Sequence, residues 1–378
     1  MDLPLLKNLT ESDLRGKRVL VRLDLNVPVE HGVLMDDYRI RRAYPTIKFL
    51  HEKGARLILM SHHTDAKQTL EPTVRCLEAC VPVSFVKNTL DTEAVTKALE
   101  ERSDAVVLLE NLRMQGEEES NDAQFAKTLA GMGELYVNDA FSASHRNHAS
   151  IVSLPQLLPS YAGLLLEEEI EKLSIAFDPP HPFLFILGGG KVSSKFHLIQ
   201  KFITIADRLF IGGALATNFY KAEGYEIGKS LYEDMGSALA PLLGNERIIV
   251  PVDVRVSNSQ GSMLKKPSSV DSEDKILDVG PATLELLNNE IKKAKFILWN
   301  GPLGDYTIPG FDVGSLALVS FLAGSEAQVV ARGGDTVTLI SQKGMHDQFG
   351  FVSTGGGAML EFLANGTLPG IEALKTSK

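Results

Sequence analysis

The densest local chemistry in the sequence lies at residues 183–195. An apolar run enters Gly188-Gly189-Gly190-Lys191-Val192-Ser193-Ser194-Lys195, and a helical segment follows from Phe196. Glycine turns that open helices suit phosphate groups, because backbone N–H groups and the helix dipole face outward with no Cβ in the way. The spacing is not that of a P-loop, since Phe185 stands five residues before Gly190, and Ser193 occupies the last glycine position of a dinucleotide fingerprint. Lys191 and Lys195, at i and i+4, fall on one face of a helical first turn, where cations oppose the helix dipole. An anionic ligand, polyphosphate above all, offsets that cost. A second element is Gly333-Gly334-Asp335-Thr336. An acid opening a helix after a glycine turn reads equally as an N-cap or, in a phosphate-lined crevice, as a Mg²⁺ ligand, with Thr336 a hydroxyl donor to phosphate.

The first half carries different groups after its apolar runs: Asp24 and Asn26, Ser61 and His62, Glu110, Asn111 and Arg113, then Asn138, Asp139, His145 and Arg146. The second half offers Gly188 to Lys191, Gly212-Gly213, Asn300-Gly301-Pro302, Gly333 to Thr336 and Gly355 to Gly357. One half supplies cationic and polar side chains, the other bare backbone. That division points to a two-substrate enzyme, with a nucleotide on the second half and a small anion on the first. Each feature also has a plainer reading. A glycine after one strand is usually a turn, and Arg22 or Arg39 alone reads as solvated. His145 and His148 lack the carboxylates or cysteines of a metal site and read as polar surface. Glu117 to Glu119 and Glu167 to Glu169 read as solvated helix faces.

The elements that must position these residues follow one rhythm of apolar strand, short turn and helix. Strands are predicted at 18–23, 56–60, 105–109 and 135–137, then at 183–187, 208–211, 247–250, 296–299, 328–331 and 351–353. Near-continuous Val/Ile/Leu runs alternating with helices indicate parallel sheets covered on both faces, with ligands beyond the carboxyl ends of the strands. The expected fold is therefore α/β: two doubly wound, Rossmann-like domains. Leu166, Ile170 and Leu173 give a buried stripe to a helix over 164–177, which Asp178-Pro179-Pro180 stops. This helix is the natural hinge between domains at 1–162 and 179–356, with the connector at 163–178 and a last segment at 357–378.

Composition narrows the class. The 378 residues are ample for two domains, and a hydrophobic fraction of 44% fits substantial cores. No apolar run reaches the ~18 residues that span a bilayer, and Met1 to Lys7 shows no secretory pattern, so a cytoplasmic protein is expected. The formal charge of −10 argues against general nucleic-acid binding. Cys76 and Cys80, on one helix without further ligands nearby, read as reduced, with Cys80 packed.

Several segments together resemble the phosphoglycerate kinase family. They are Val21-Arg22-Leu23-Asp24-Leu25-Asn26-Val27-Pro28, Asp37-Tyr38-Arg39-Ile40-Arg41, Glu110-Asn111-Leu112-Arg113 and Asn138-Asp139-Ala140-Phe141 with His145-Arg146. Leu187 to Lys195, Gly224 to Gly228, Trp299 to Pro302 and Ser353 to Gly357 continue the match collinearly. The resemblance implies a hinge-bending, monomeric kinase that moves a phosphoryl group between 1,3-bisphosphoglycerate and ADP, giving 3-phosphoglycerate and ATP with Mg²⁺. It implies that Arg22, Asp24, Asn26, Arg39, His62, Arg113 and Arg146 surround the acid substrate. It puts the nucleotide near Gly189, Lys195, Gly212, Gly213, Asn300, Gly333, Gly334, Asp335 and Thr336, with Asp335 on the metal. Lys191 would stabilise the transferring group and Arg39 would orient the acid; residues 357–378 would pack back on the first domain. Three positions depart from the family's usual pattern. Asp65 stands where an arginine is usual, Thr307 where a ribose-binding glutamate is usual (with Asp305 nearby), and Arg332 where a glycine is usual. The resemblance thus implies an active enzyme with altered substrate affinity; a kinase of another small acid, or a weakened paralogue that binds nucleotide or a partner, are the alternatives.

Overall fold

In the computed structural model, residues 3–101 and 106–377 are described. The chain divides into two compact units, one formed by residues up to Glu171 together with those from Gly357, the other by Lys172–Gly356.

The first unit is built on six parallel strands: β1 (Arg18–Arg22), β2 (Arg56–Met60), β3 (Val83–Val86), β4 (Val106–Leu109), β5 (Leu135–Asn138) and β6 (Ser160–Ala162). Their order is β3-β4-β2-β1-β5-β6. Ala105, the first residue of the strand expected at 105–109, lies outside the described residues, as do Met1, Asp2 and Lys378. The apolar runs are buried on both faces because helices cover both, and Val19, Val21, Leu57, Leu59, Val106 and Leu108 share one core with Ile40, Ile47 and Leu50 of the helix Tyr38–Glu52. Full burial of each such side chain contributes about 1.5–3 kcal/mol before the entropy of ordering it. Cys76 and Cys80 are free thiols against this core.

The second unit carries β7 (Phe183–Leu187), β8 (Arg208–Ile211), β9 (Ile248–Ile249), then three antiparallel strands β10 (Val254–Asn258), β11 (Gly261–Lys265) and β12 (Lys275–Val279), and finally β13 (Phe296–Asn300), β14 (Gln328–Arg332) and β15 (Phe351–Ser353). Its main sheet is parallel in the order β9-β8-β7-β13-β14-β15. The small sheet runs β11-β10-β12. Phe183, Phe185, Phe202 and Phe296 cluster at the base of the main sheet, with Phe185 and Phe202 edge-to-face at 5.0 Å. Strand order reverses between β7 and β13, which opens a crevice beyond their carboxyl ends, at Gly188 and Gly301. In the first unit the reversal falls between β1 and β5, beside Asp24 and Asp139. The residues singled out for chemistry therefore sit where each sheet's topology leaves room for a ligand.

The helix Leu164–Ser174 buries Leu166, Ile170 and Leu173 as its stripe requires. Its acidic run is not wholly solvated: Glu168 pairs with Arg42 at 2.7 Å, and Glu169 is fully buried.

Candidate active site

In the first unit, the groups after β1 and β2 form two linked clusters. Asp24, buried, receives Nη1 of Arg39 at 2.8 Å and Oγ of Ser142 at 2.6 Å on one oxygen, and the Asn26 amide at 3.2 Å on the other. A carboxylate so occupied positions Arg39 and leaves the guanidinium, about a quarter exposed, to meet an anion. Asn26 exchanges hydrogen bonds with Thr64, whose amide donates to its Oδ1 at 3.0 Å. Asp65 is exposed, and its Oδ1 accepts the Lys67 amide in a turn.

The second cluster is cationic. Arg22 is fully buried, which overturns its reading as a solvated arginine: Nε donates to Ser150 Oγ at 2.9 Å, Nη1 to Leu23 O at 2.8 Å and Nη2 to His62 Nδ1 at 3.0 Å. Its side chain supports the site from beneath. Arg113 is 7% exposed; Nε lies 3.3 Å from Glu119, and Nη2 has no hydrogen-bond partner among the described residues. Burial and then the neighbouring Arg146 press its pKa downward. A buried cation with an unmet donor is costly unless an anion completes it. Arg146 is exposed. His148 is buried, not surface, with Glu118 3.8 Å from its Nδ1; burial and Arg113 push its pKa down to about 4. Glu118, expected on a solvated face, is also fully buried, with both oxygens taken by the Ser150 hydroxyl and amide at 2.6 and 2.9 Å. Within the acidic triplet only the middle residue turns inward, and its neighbours give no sign of that.

In the second unit the glycines act differently from the expectation. The amides of Gly188 and Gly189 donate to Asn300 O and Pro302 O, and those of Gly212 and Gly213 to Leu187 O and Leu303 O. They are engaged between strand ends and are not presented to a ligand. What the missing side chains provide is closeness: a Cβ on Gly188 would lie 2.1 Å from Pro302 O, and one on Gly213, at φ +59°, 2.7 Å from the Gly189 amide. The result is a tight floor to a cavity of about 680 Å³. Gly189, Tyr220, Leu277, Pro302, Tyr306 and Asp335 are among its walls. Such a volume, mostly apolar with a few polar groups, suits a small ligand.

The lysines do not share a helix face. The helix begins at Phe196, so Lys191 is exposed in the preceding turn while Lys195 folds inward, with Nζ donating to Gly188 O. Burial, then Arg332, lower the Lys195 pKa to about 8, with Asp335 opposing. Asp335 sits exposed in the first turn of the helix Gly334–Lys343, whose N-cap is Gly333, so it is not itself the cap. Thr336 is buried and accepts the Gly301 amide at 3.0 Å, so it braces the loop after β13 instead of facing the cavity. Asn300 likewise turns inward, donating to Arg332 O. Thr307 donates to Asp305 at 2.6 Å. Half-buried Tyr306 carried no signal in the sequence as a member of this site, whereas Arg332, marked there only as a departure from the family's usual glycine, is buried close enough to Lys195 to lower its pKa.

The profile of the phosphoglycerate kinase family matches residues 9–366. The chain belongs to the phosphoglycerate kinase family. A phosphoglycerate kinase of Dictyoglomus turgidum is 41% identical, with 97% of this chain and 98% of that one covered, and one of Rubrobacter xylanophilus is 42% identical with the same coverage. Among solved structures, the phosphoglycerate kinase of Coxiella burnetii superposes with a TM-score of 0.84 at 35% identity, covering 99% of this chain and 98% of that one. That of Pyrococcus horikoshii gives 0.86 at 29% identity, with 99% of each covered. Phosphoglycerate kinase family membership makes the chain a nucleotide-dependent phosphotransferase acting on small molecules. Among the described residues no helix is long and apolar enough to cross a membrane.

Proposed function

We propose that the chain catalyses reversible, Mg²⁺-dependent phosphoryl transfer between 1,3-bisphosphoglycerate and ADP, giving 3-phosphoglycerate and ATP. The observation that carries this reading is the buried Arg113, whose Nη2 lacks a partner beside His62 and Arg146, in a unit separate from the one with the glycine-floored cavity. The first is a receptor for a small polyanion; the second is sized for a nucleoside phosphate.

In this reading Arg39, held by Asp24, orients the acid, while Arg113 and Arg146 meet its anionic groups. Arg22, Asp24 and Asn26 support them from below. Lys195 binds the nucleotide phosphates, and exposed Lys191 reaches the transferring group. Asn300 and Thr336 brace the strand ends behind the cavity, and Gly333 and Gly334 open the helix that carries Asp335 to it. Asp335 is the residue that would hold Mg²⁺: it is exposed on the cavity, and only one of its oxygens receives a hydrogen bond among the described residues. No group of three or more potential ligands is found among the described residues, which suits an ion held by one protein carboxylate, phosphates and water. When bound, Mg²⁺ supplies neutralisation of phosphate charge. The acid's carboxylate is already ionised at neutral pH, so no general base is needed, and positioning with charge cancellation supplies most of the catalysis. Cytoplasmic location, a monomeric state and no role for nucleic acid belong to the same reading.

The test is a coupled assay of the purified chain with 3-phosphoglycerate and ATP, with and without Mg²⁺. Turnover should need the metal, and Lys191→Ala should lower kcat by about 100-fold with nucleotide affinity little changed. A folded chain that binds ADP yet shows no turnover under any divalent metal would sink the proposal.

A further inference from the structure

Arg22 spends its hydrogen bonds in a way that fixes its neighbour. A guanidinium has five donors and no acceptor. When Nη2 of Arg22 lies 3.0 Å from Nδ1 of His62, the imidazole nitrogen must therefore supply the lone pair. A neutral imidazole that accepts at Nδ1 carries its proton on Nε2; a doubly protonated ring would set N–H against N–H.

The guanidinium is itself held in place. Its Nε donates to Ser150 Oγ, and the Ser150 hydroxyl proton is committed to Glu118 Oε1 at 2.6 Å, so that oxygen is free to accept from Arg22. The Ser150 amide takes the other oxygen of Glu118 at 2.9 Å. Arg22 and Glu118 are both fully buried, 3.9 Å apart, and each compensates a charge that would otherwise be stranded. The chain of contacts runs from Glu118 through Ser150 and Arg22 to His62, across residues brought together from the ends of β1 and β2 and from the segments that follow β4 and β5.

We infer that Glu118, Ser150 and Arg22 form a buried relay that holds His62 as a neutral imidazole protonated at Nε2, so that His62 meets the anionic substrate as a hydrogen-bond donor and not as a cation. This rests on the reading of the first unit as the acid-substrate site. The surroundings agree. Burial lowers the pKa of His62 well below its ordinary value, and Arg22, Arg113, Arg146 and His148 act in the same direction. The carboxylates in the cluster are engaged elsewhere, Glu118 by Ser150 and Glu119 by Arg113. A site that already gathers three arginines gains little from a fourth charge. It gains direction from a donor whose proton is fixed at one atom. Glu118, Ser150 and Arg22 are thus positioning residues, and their effect should be read at His62.

The experiment is nitrogen-15 NMR of the full chain with labelled histidine, His62 being assigned by its disappearance in His62→Gln. The expected result is the Nε2–H tautomer, with no titration between about pH 5 and 8. A His62 that titrates in that window, or that shows Nδ1–H, overturns the relay. Ser150→Ala and Glu118→Gln should each restore titration or mix the tautomers, and should raise KM for 3-phosphoglycerate by about 10-fold while leaving KM for nucleotide unmoved. An unaltered His62 spectrum in both folded variants also overturns it. The free chain reports the tautomer without substrate, so the two readings fail separately: an intact tautomer whose Nε2–H signal does not shift on adding 3-phosphoglycerate refutes the acid-site reading and the donor role that depends on it.

Discussion

The hydroxyl of Tyr306 donates a 2.8 Å hydrogen bond to Oδ1 of Asp335, tying the loop after β13 to the first turn of the helix Gly334–Lys343 across the mouth of the cavity. Burial and the Asp335 partner raise the Tyr306 pKa to about 12, so the phenol remains a donor throughout the working range. Tyr306→Phe keeps the ring and deletes the donor. One net hydrogen bond of about 1 kcal/mol corresponds to roughly a 5-fold effect. The affinity for Mg-ADP should fall by about that factor while affinity for metal-free ADP, measured by calorimetry with chelator, stays as it was. Equal losses with and without metal would detach Tyr306 from the role of Asp335.

Lys195 makes nucleotide binding depend on pH. Its pKa is lowered to about 8 in the free chain, chiefly by burial. A polyphosphate beside it favours the charged form, so binding near pH 8 takes up a proton and affinity falls as pH rises through that value. Calorimetry in buffers of different ionisation enthalpy should show proton uptake with ADP that Lys195→Met abolishes. The same shift acts on stability. Between pH about 8 and 10.5 the unfolded chain holds more protons at this group than the folded one, so the Lys195 contribution to stability rises with pH across that window.

Gly188 tests the cavity floor. An added Cβ would meet two backbone oxygens, Pro302 O at 2.1 Å and Gly301 O at 2.7 Å, neither of which can swing aside. Gly188→Ala should destabilise the chain by about 1–3 kcal/mol, the range of overpacked sites. Gly131, exposed near the end of the helix Ala123–Met132 with nothing within 4 Å, is the control. Gly131→Ala should be stabilising by about 0.5–1 kcal/mol. Denaturant melts of both variants check the contrast, which would vanish if the strand-end loops were free to part.

Asp65 has its carboxylate turned toward the Lys67 amide at the exposed edge of the first cluster. Asp65→Arg replaces a repulsive charge with an attractive one for an anionic acid, but solvent screens both. KM for 3-phosphoglycerate should drop by about 3-fold at low ionic strength and less at high, with nucleotide KM unmoved. No change at low salt would set Asp65 outside the reach of the substrate.

The sheets were legible because their strands are buried on both faces and read as continuous apolar runs; β7 and β13 are the clearest, and they are also the strands that flank the crevice. β3, with half-exposed Val83 and Ser84, and the antiparallel trio β10 to β12 lacked such runs and went unseen. The types of residue gathered at each crevice could be read, but not how they divide their work. Whether a glycine offers its amide or its lack of a side chain depends on which strand end lies opposite, as Gly189 and Pro302 show. Whether Arg22 or Glu118 faces water depends on Ser150, which is over 30 residues away from Glu118 along the chain. Charge at such positions is a tertiary property.

The first unit closes only with the far end of the chain. Phe362 packs edge-on against Phe141, the Gly370 amide bonds Ser144 O, and Gln156 reaches Ala373 O. During synthesis, then, the ribosome has delivered every strand of both sheets before the surface around Phe141 and Ser144 receives its cover. The second unit, an uninterrupted stretch, has all its residues by Gly356 and can finish first. The half of the protein that is made earliest is the one that must wait longest, with an apolar face uncovered in the meantime, which is the interval when a nascent chain most needs a chaperone.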